Sequence, residues 1–207
     1  MITIYAMDIM TLDPDLEVYR QAIPRGRLDH ICSLPGRAHL LSLAAELLFQ
    51  RSVRRHCRGV PTPVERDVLP NGKPYLLGRP DFHFNLSHSG VWAVCAVADV
   101  EVGVDIQQYR GVSGKLVRRF TNAEQQMLDS VEGEEKMRLL FELWVRKEAF
   151  LKCTGEGLTR STRSFEAMDP GGGYVTQMVD FPVPGYQLGV CTREEEAEEA
   201  QLIIMPF

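Results

Sequence analysis

Asp105 lies in VGVDIQ (102–107) among β-branched residues. A carboxylate is expensive to bury there unless a cation or hydrogen bonds meet it. Strand alternation puts Gly103, Asp105 and Gln107 on one face, opposite Val102, Val104 and Ile106, and Gly103 leaves room for a ligand beside the carboxylate. In FELWVRKEAFLKCTGEGL (141–158), Trp144, Glu148 and Lys152 recur at i, i+4 and i+8 on one helical face. Lys147 and Arg146 turn to other faces, toward solvent or a bound anion. A third cluster, FHFNLSHSG (82–90), gathers Asn85, Ser87, His88, Ser89 and Gly90 at the end of a short strand. Hydroxyls, an imidazole and amides near a glycine can surround phosphate oxygens. Each feature has an ordinary counterpart: an edge-strand aspartate, an i,i+4 ion pair worth about 0.2–0.5 kcal/mol, a tight polar hairpin. Together they suit phosphoryl chemistry. Asp105 and Glu148 could hold one Mg²⁺, which favours oxygen ligands, waters and substrate phosphates. Lys152 could neutralise a transferring or departing phosphate, with Ser87 and His88 orienting phosphates further out.

The elements that must position these groups follow from periodicity and punctuation. Residues 2–9 read as a strand. Leu40, Leu43, Ala44, Leu47 and Leu48 predict a helix over Ala38–His56 with its apolar stripe toward a core. Asn71-Gly72 marks a turn within a proline-rich stretch. Strands are expected at Phe82–Leu86, Val91–Ala98 and Val102–Ile106. Helices are expected at Val112–Phe120, at Asn122–Asp129 with Thr121 as N-cap and Glu124 three residues on, and at Glu134–Cys153 ending at Gly155. Strands at 162–168, 173–180, 186–192 and 201–205 complete the chain, with acidic TREEEAEEA (192–200) a surface helix or loop. The reading is α+β: two small lobes, residues 1–101 and 102–207, each with a long helix and several strands, meeting near 100–105.

A chain of 207 residues, 44% apolar and 25% charged, is a folded protein rather than a disordered or fibrous one. No apolar run approaches the roughly 18 residues of a membrane span, and the N-terminus lacks a signal-peptide pattern, so a cytoplasmic protein is expected. The five cysteines are scattered and odd in number, which argues against a disulfide framework or a zinc site. Cys95 and Cys191 sit in apolar stretches that read as core strands. Net charge is −5 but uneven: residues 20–60 carry eight arginines against Asp29 and Glu46. Such a band could focus a phosphate-rich ligand or an acidic protein surface. Aromatic residues are not interleaved with it, which weakens a nucleic-acid reading.

Gly72-Lys73-Pro74, FNLSHSG, GVDIQ and the WxxKEAxxKxxGxGL arrangement, in this order, resemble the 4'-phosphopantetheinyl transferases of the type that activates the surfactin synthetase. The resemblance implies two similar α+β lobes in one chain, a pseudo-dimeric arrangement with coenzyme A in the cleft between them. It implies Mg²⁺-dependent transfer of 4'-phosphopantetheine from coenzyme A to a serine of an acyl or peptidyl carrier protein, releasing 3',5'-ADP, by a monomeric enzyme of secondary metabolism. By the same resemblance Lys73 and Pro74 line the adenine, and Ser87 and His88 reach the phosphates, His88 near the 3'-phosphate. Asp105 and Glu148 are metal ligands, Lys152 lies beside the pyrophosphate, and Trp144 and Lys147 shape the site. Glu148, directly or through a metal-bound water, takes the serine proton. Two positions depart from the family pattern. Gln107 stands where many relatives have a glutamate, leaving an amide oxygen or a water for that metal position. Leu40 follows Ala38-His39 where relatives often have an arginine for the 3'-phosphate, so Arg37, Arg25 or Arg27 must substitute. The rival readings are a weak or inactive relative that only binds coenzyme A or a carrier, a Mg²⁺-dependent phosphodiester hydrolase, and an interaction protein whose motifs are turns and salt bridges.

Overall fold

In a computed structural model, residues 1–111 and 114–206 are described. The strands are β1 (Ile2–Asp8), β2 (Asp67–Val68), β3 (Pro74–Tyr75), β4 (His83–Ser89), β5 (Trp92–Ala98), β6 (Gly103–Gln108), β7 (Tyr174–Val179), β8 (Tyr186–Arg193) and β9 (Ala200–Ile204). The helices are α1 (Arg25–Cys32), α2 (Ala38–His56), α3 (Gly114–Val117), α4 (Asn122–Asp129) and α5 (Gly133–Thr154). One sheet has the order β4-β5-β1-β9 and another β6-β8-β7, with β2 and β3 forming a short ribbon. The fold is α+β.

The apolar periodicities dictate a layered stack. Strands β1 and β5 are buried along nearly their whole length, so alternate residues serve different cores. Tyr5, Met7, Cys95 and Val97 join the apolar stripe of α2, including Leu43, Leu47 and Leu48. Ile2, Ile4, Ala6, Val94 and Ala96 face the other way, onto Val104, Ile106, Leu188 and Val190 of the second sheet. Helix α5 covers the far side of that sheet, with Ala149 and Cys153 against Cys191. The order is therefore α2, first sheet, second sheet, α5. Cys95 and Cys191 are buried strand residues, and all five cysteines are free thiols.

Local rules set most boundaries. Helix α2 occupies Ala38–His56, as its stripe predicts. Helix α4 begins with a capping box in which the Thr121 hydroxyl accepts from the Glu124 amide and the Glu124 carboxylate accepts from the Thr121 amide. Gly155 closes α5 with φ of 72°, a left-handed conformation that favours glycine. Two expectations differ from the structure. The helix expected over Val112–Phe120 is a short turn at Gly114–Val117, Val112 lying outside the described residues. The strand expected at 162–168 is a 3₁₀ turn, Thr162–Ser164, and an extended connection. Its Thr162 and Phe165 carbonyls bond a buried lysine instead of a neighbouring strand. The strand expected at 201–205 is β9, which pairs in parallel with β1 at the edge of the first sheet.

Candidate active site

The site is built where β4 of one sheet lies against β6 of the other, under α5. Alternate residues of β4 form this seam. Asn85 Oδ1 accepts from the Val104 amide at 3.2 Å, Ser87 Oγ from the Ile106 amide at 3.3 Å, and Ser89 Oγ from the Gln108 amide at 2.9 Å. The dense polar run NLSHS thus has a structural task that its period of two encodes: three side chains satisfy backbone donors of the adjoining sheet. His88, on the other face of β4, lines a cavity.

That cavity encloses about 370 Å³ and is lined by residues of both halves, among them Arg27, Arg66, His88, Asp105, Gln107, Glu148 and Lys152. Asp105 is only 2% exposed. Its Oδ1 accepts from Lys152 Nζ at 2.6 Å and from Ser87 Oγ at 2.8 Å, and its Oδ2 from Gln107 Nε2 at 2.9 Å. Lys152 also donates to Ser87 Oγ at 2.9 Å and to the Val104 carbonyl at 3.1 Å. Glu148, one turn before Lys152 on α5, has neither a hydrogen bond nor an ion pair among the described residues. Burial, and then the Asp105 charge, push its carboxyl pKa up, with Lys152 and Arg119 working against them. His88 is open to solvent by area, yet crowding on the cavity side and the Lys152 charge push its pKa down.

The small residue beside Asp105 has a different role from the one its size suggests. A Cβ at Gly103 would collide with the Ala149 carbonyl and the Cys153 amide of α5. The absent side chain makes room for helix backbone, not for a ligand. This close approach brings Glu148 and Lys152 over Asp105.

A second cavity of about 220 Å³ adjoins the first through Leu86 and Lys152, and Asn71, Gly72, Lys73 and Pro74 form part of its wall. Lys73 itself is tied down. Its ammonium donates to the Cys153 carbonyl at 2.5 Å and lies 3.6 Å from Glu101. It thereby satisfies a terminal carbonyl of α5, where a cation also meets the negative end of the helix dipole.

The structure does not bring every expected residue into the cleft. Lys147 is fully buried at 0% exposure on another face of α5. Its ammonium is 2.9 Å from Glu124, donates to the Thr162 carbonyl at 2.8 Å and also to that of Phe165, and packs over the Phe165 ring. Burial pushes its pKa down, with the Glu124 carboxylate opposing. No route leads from it to a ligand in the cavity. Trp144 packs edge-on against Phe120. Arg37 is exposed at the N-cap of α2 and outside the cavity, as is Arg25; of the three arginines considered for an anion, Arg27 alone lines it. Arg66 joins Arg27 there, both guanidinium groups meeting Glu46. Sequence reasoning missed Arg66 and Glu46. The signal was available: Ser42, Glu46 and Gln50 make a polar i, i+4, i+8 stripe within an otherwise apolar helix.

Among the described residues no three His, Cys, Asp or Glu side chains gather as a metal-binding group. The donor set is two carboxylates, an amide and cavity space, with one ammonium. Two acids against one fixed cation leave a negative surplus, and the Asp105 oxygen facing Gln107 has only a neutral donor. A small oxygen-seeking cation fits that surplus. A cavity of about 330 Å³ between α2 and Val18–Ala22 includes Arg51 and Arg54 but no carboxylate in its lining. No helix among the described residues is long and apolar enough to cross a membrane.

Residues 101–191, which include Asp105, Gln107, Glu148 and Lys152, match the model of the 4'-phosphopantetheinyl transferase superfamily. The chain is 40% identical over 152 residues to 4'-phosphopantetheinyl transferase psf-1 of Bacillus pumilus, covering 66% of this chain and 65% of that protein. It is 28% identical over 172 residues to 4'-phosphopantetheinyl transferase Sfp of Bacillus subtilis (strain 168), covering 76% of each. A human protein, L-aminoadipate-semialdehyde dehydrogenase-phosphopantetheinyl transferase, is 32% identical over 142 residues, covering 63% of this chain and 44% of the human one. The match to psf-1 thus spans slightly less than two thirds of that relative's length. With the acidic cleft residues inside the matched segment, the chain is similar to the 4'-phosphopantetheinyl transferase superfamily where its charged cleft is built.

Proposed function

We propose that the protein transfers 4'-phosphopantetheine from coenzyme A to a serine of an acyl or peptidyl carrier protein. The observation that carries this reading is the unbalanced trio of Asp105, Glu148 and Lys152 on the wall of a cavity shared by both halves. It lies within the segment matched to the superfamily.

Asp105 and Glu148 hold Mg²⁺ in this proposal, with the Gln107 amide turned to offer its oxygen or a water in its place. When bound, the ion supplies positive charge beside the pyrophosphate and offsets negative charge in the transition state. The chain's own residues do the rest. Lys152, fixed by Ser87 and the Val104 carbonyl, presents its ammonium to the same phosphates. His88 meets phosphate oxygens from the β4 side, and Pro74 with the backbone of the 71–74 turn borders the adenine. Lys73 supports that turn through α5. The carrier serine Oγ attacks the β-phosphorus, the bond from that phosphorus to the bridging oxygen of the nucleotide breaks, and 3',5'-ADP leaves. Glu148, directly or through a water it orients, accepts the serine proton in this proposal. The two lobes, 1–101 and 102–207, form the walls of the cleft in this reading, and the enzyme acts as a cytoplasmic monomer.

The test is an intact mass after mixing protein, coenzyme A, Mg²⁺ and unmodified carriers. The expected result is a phosphopantetheine-sized gain on a carrier. No gain across a panel of fatty-acid, polyketide and peptide-synthetase carriers would reject the proposal. Release of 3',5'-ADP without an acceptor would favour a hydrolase instead.

A further inference from the structure

Two buried thiols that the proposed transfer does not use face each other at the root of α5. Cys153 and Cys191 are both 0% exposed and belong to one packed cluster with Ala149, Phe150 and Phe165. Backbone geometry puts them on the same side of the second sheet. Gly103 of β6 is the cross-strand partner of Cys191 of β8, and directly paired residues share a face. A Cβ at Gly103 would lie 2.8 Å from the Cys153 Cα, so the helix rests directly on that position. The Cys153 thiol thereby comes within hydrogen-bonding reach of the Cys191 sulfur. Their other contacts are weak: Cys153 Sγ is 3.6 Å from the Glu101 carbonyl, and Cys191 Sγ is 3.9 Å from the Thr192 carbonyl.

The surroundings favour a thiolate at this pair. Thr176 is the partner of Cys191 across β7 and β8, and its buried hydroxyl has no nitrogen or oxygen partner among the described residues. The Lys73 ammonium, anchored on the Cys153 carbonyl, acts on both sulfurs and eases their ionisation. The hydrogen bond from Cys153 holds the Cys191 pKa down against burial, whereas that bond and burial push the Cys153 pKa up. Cys191 is therefore the nucleophile of the pair and Cys153 its donor. Lys73, Leu151 and Gly155 also border the cavity of about 220 Å³, which gives a small oxidant an approach from the Lys73 side. Opening of the last turn of α5 completes that approach.

We propose that Cys153 and Cys191 are a redox modification site, closing a reversible disulfide when the protein meets a peroxide. The Cys191 thiolate attacks one peroxide oxygen, the O–O bond breaks, and the departing hydroxide leaves as water after taking a proton. Cys191 is then a sulfenic acid. The Cys153 sulfur attacks the Cys191 sulfur, the S–S bond forms, and the displaced hydroxide leaves as a second water. Both thiol protons end in the waters; the two sulfurs lose two electrons and one peroxide gains them. A dithiol reverses the reaction by exchange. Closure acts on the last turn of α5, which carries Lys152 and the carbonyl that holds Lys73. This site does not rest on the coenzyme A reading.

Peroxide treatment of the full chain carrying Cys32→Ser, which removes the exposed thiol, tests the proposal. The expected product is about 2 Da lighter, has lost two titratable thiols and yields one linked peptide pair joining Cys153 to Cys191. Dithiothreitol should restore both thiols. Cys57 and Cys95, buried in the other core, should stay reduced throughout. Cys191→Ala should abolish the change, and Cys153→Ala should leave Cys191 oxidised with a gain of about 16 Da. Unchanged thiol counts in the folded protein, a linkage to Cys57 or Cys95, or the same loss in Cys191→Ala would overturn the proposal. Should either alanine variant fail to fold, the peptide map of the parent chain decides alone.

Discussion

Two adjacent residues of α5 show how the same charges do different work. Lys147 and its partner Glu124 are both buried, and every charge is met. The ammonium has one carboxylate and two carbonyls, and the carboxylate also receives the Thr121 and Ala167 amides, the latter at 2.6 Å. One residue later, Glu148 faces the opposite environment. Of the two cations that act on it, Lys152 is already paired with Asp105 and Arg119 has the smaller influence, and it has no hydrogen bond among the described residues. The first cluster closes on itself and joins α5, α4 and the 162–167 connection. The second is short of positive charge and opens on a cavity. Burial alone does not separate a structural ion pair from a site; charge balance and access do.

The largest expected effect breaks the balanced cluster. Lys147→Met leaves Glu124 buried without its cation and should cost about 3–5 kcal/mol of stability in chemical denaturation. Adding Glu124→Gln to that variant should recover a substantial part. If Lys147→Met kept wild-type stability and lost only nucleotide affinity, Lys147 would belong with the site.

Glu148→Gln acts on the other cluster. It should stay folded and lose transfer by about 100-fold or more, measured by intact mass of the carrier over time. Activity within a few-fold of wild type would remove Glu148 from the proposed chemistry. The same variant sharpens the contrast through pH. In chelator-treated protein the Glu148 pKa is raised by folding, so the folded state holds its proton more tightly than the unfolded chain. That contribution is complete below the unfolded carboxylate value and is lost as pH rises through the folded one. Thermal melts should show this fall in the wild type and lack its Glu148 part in Glu148→Gln; parallel curves would contradict the charge surplus.

The smallest effect is expected at Gln107. Gln107→Glu adds a third carboxylate beside Asp105 and should lower the Mg²⁺ concentration for half-maximal transfer by a few-fold, with affinity for the carrier unchanged. Identical Mg²⁺ titrations would show that this position does not tune the metal.

How far the residues alone reach differs along the chain. The apolar stripe of α2, the Thr121–Glu124 box and the glycine after α5 are local signals, and the structure follows them closely. The strand expected at 162–168 fails because its backbone serves Lys147, a partner brought by tertiary packing. Ser87 looked like a phosphate contact because it sits in a polar cluster, yet its hydroxyl is engaged by Asp105, Lys152 and the Ile106 amide. Arg37 and Arg27 are equivalent as letters. Only the packing of α1 on α2 turns Arg27 toward Glu46 and leaves Arg37 in solvent.

By itself the sequence determined the α+β class, the main helices and strands, and the presence of Asp105, Glu148 and Lys152 in motifs of one family, because these depend on periodicity and short-range order. The tertiary structure decided which charges are balanced and which are not. It sent Lys147 inward, seated α5 against Gly103, and joined Arg27 and Arg66 through Glu46. These outcomes depend on distant segments meeting, and a carboxylate's role is set by the cations that reach it.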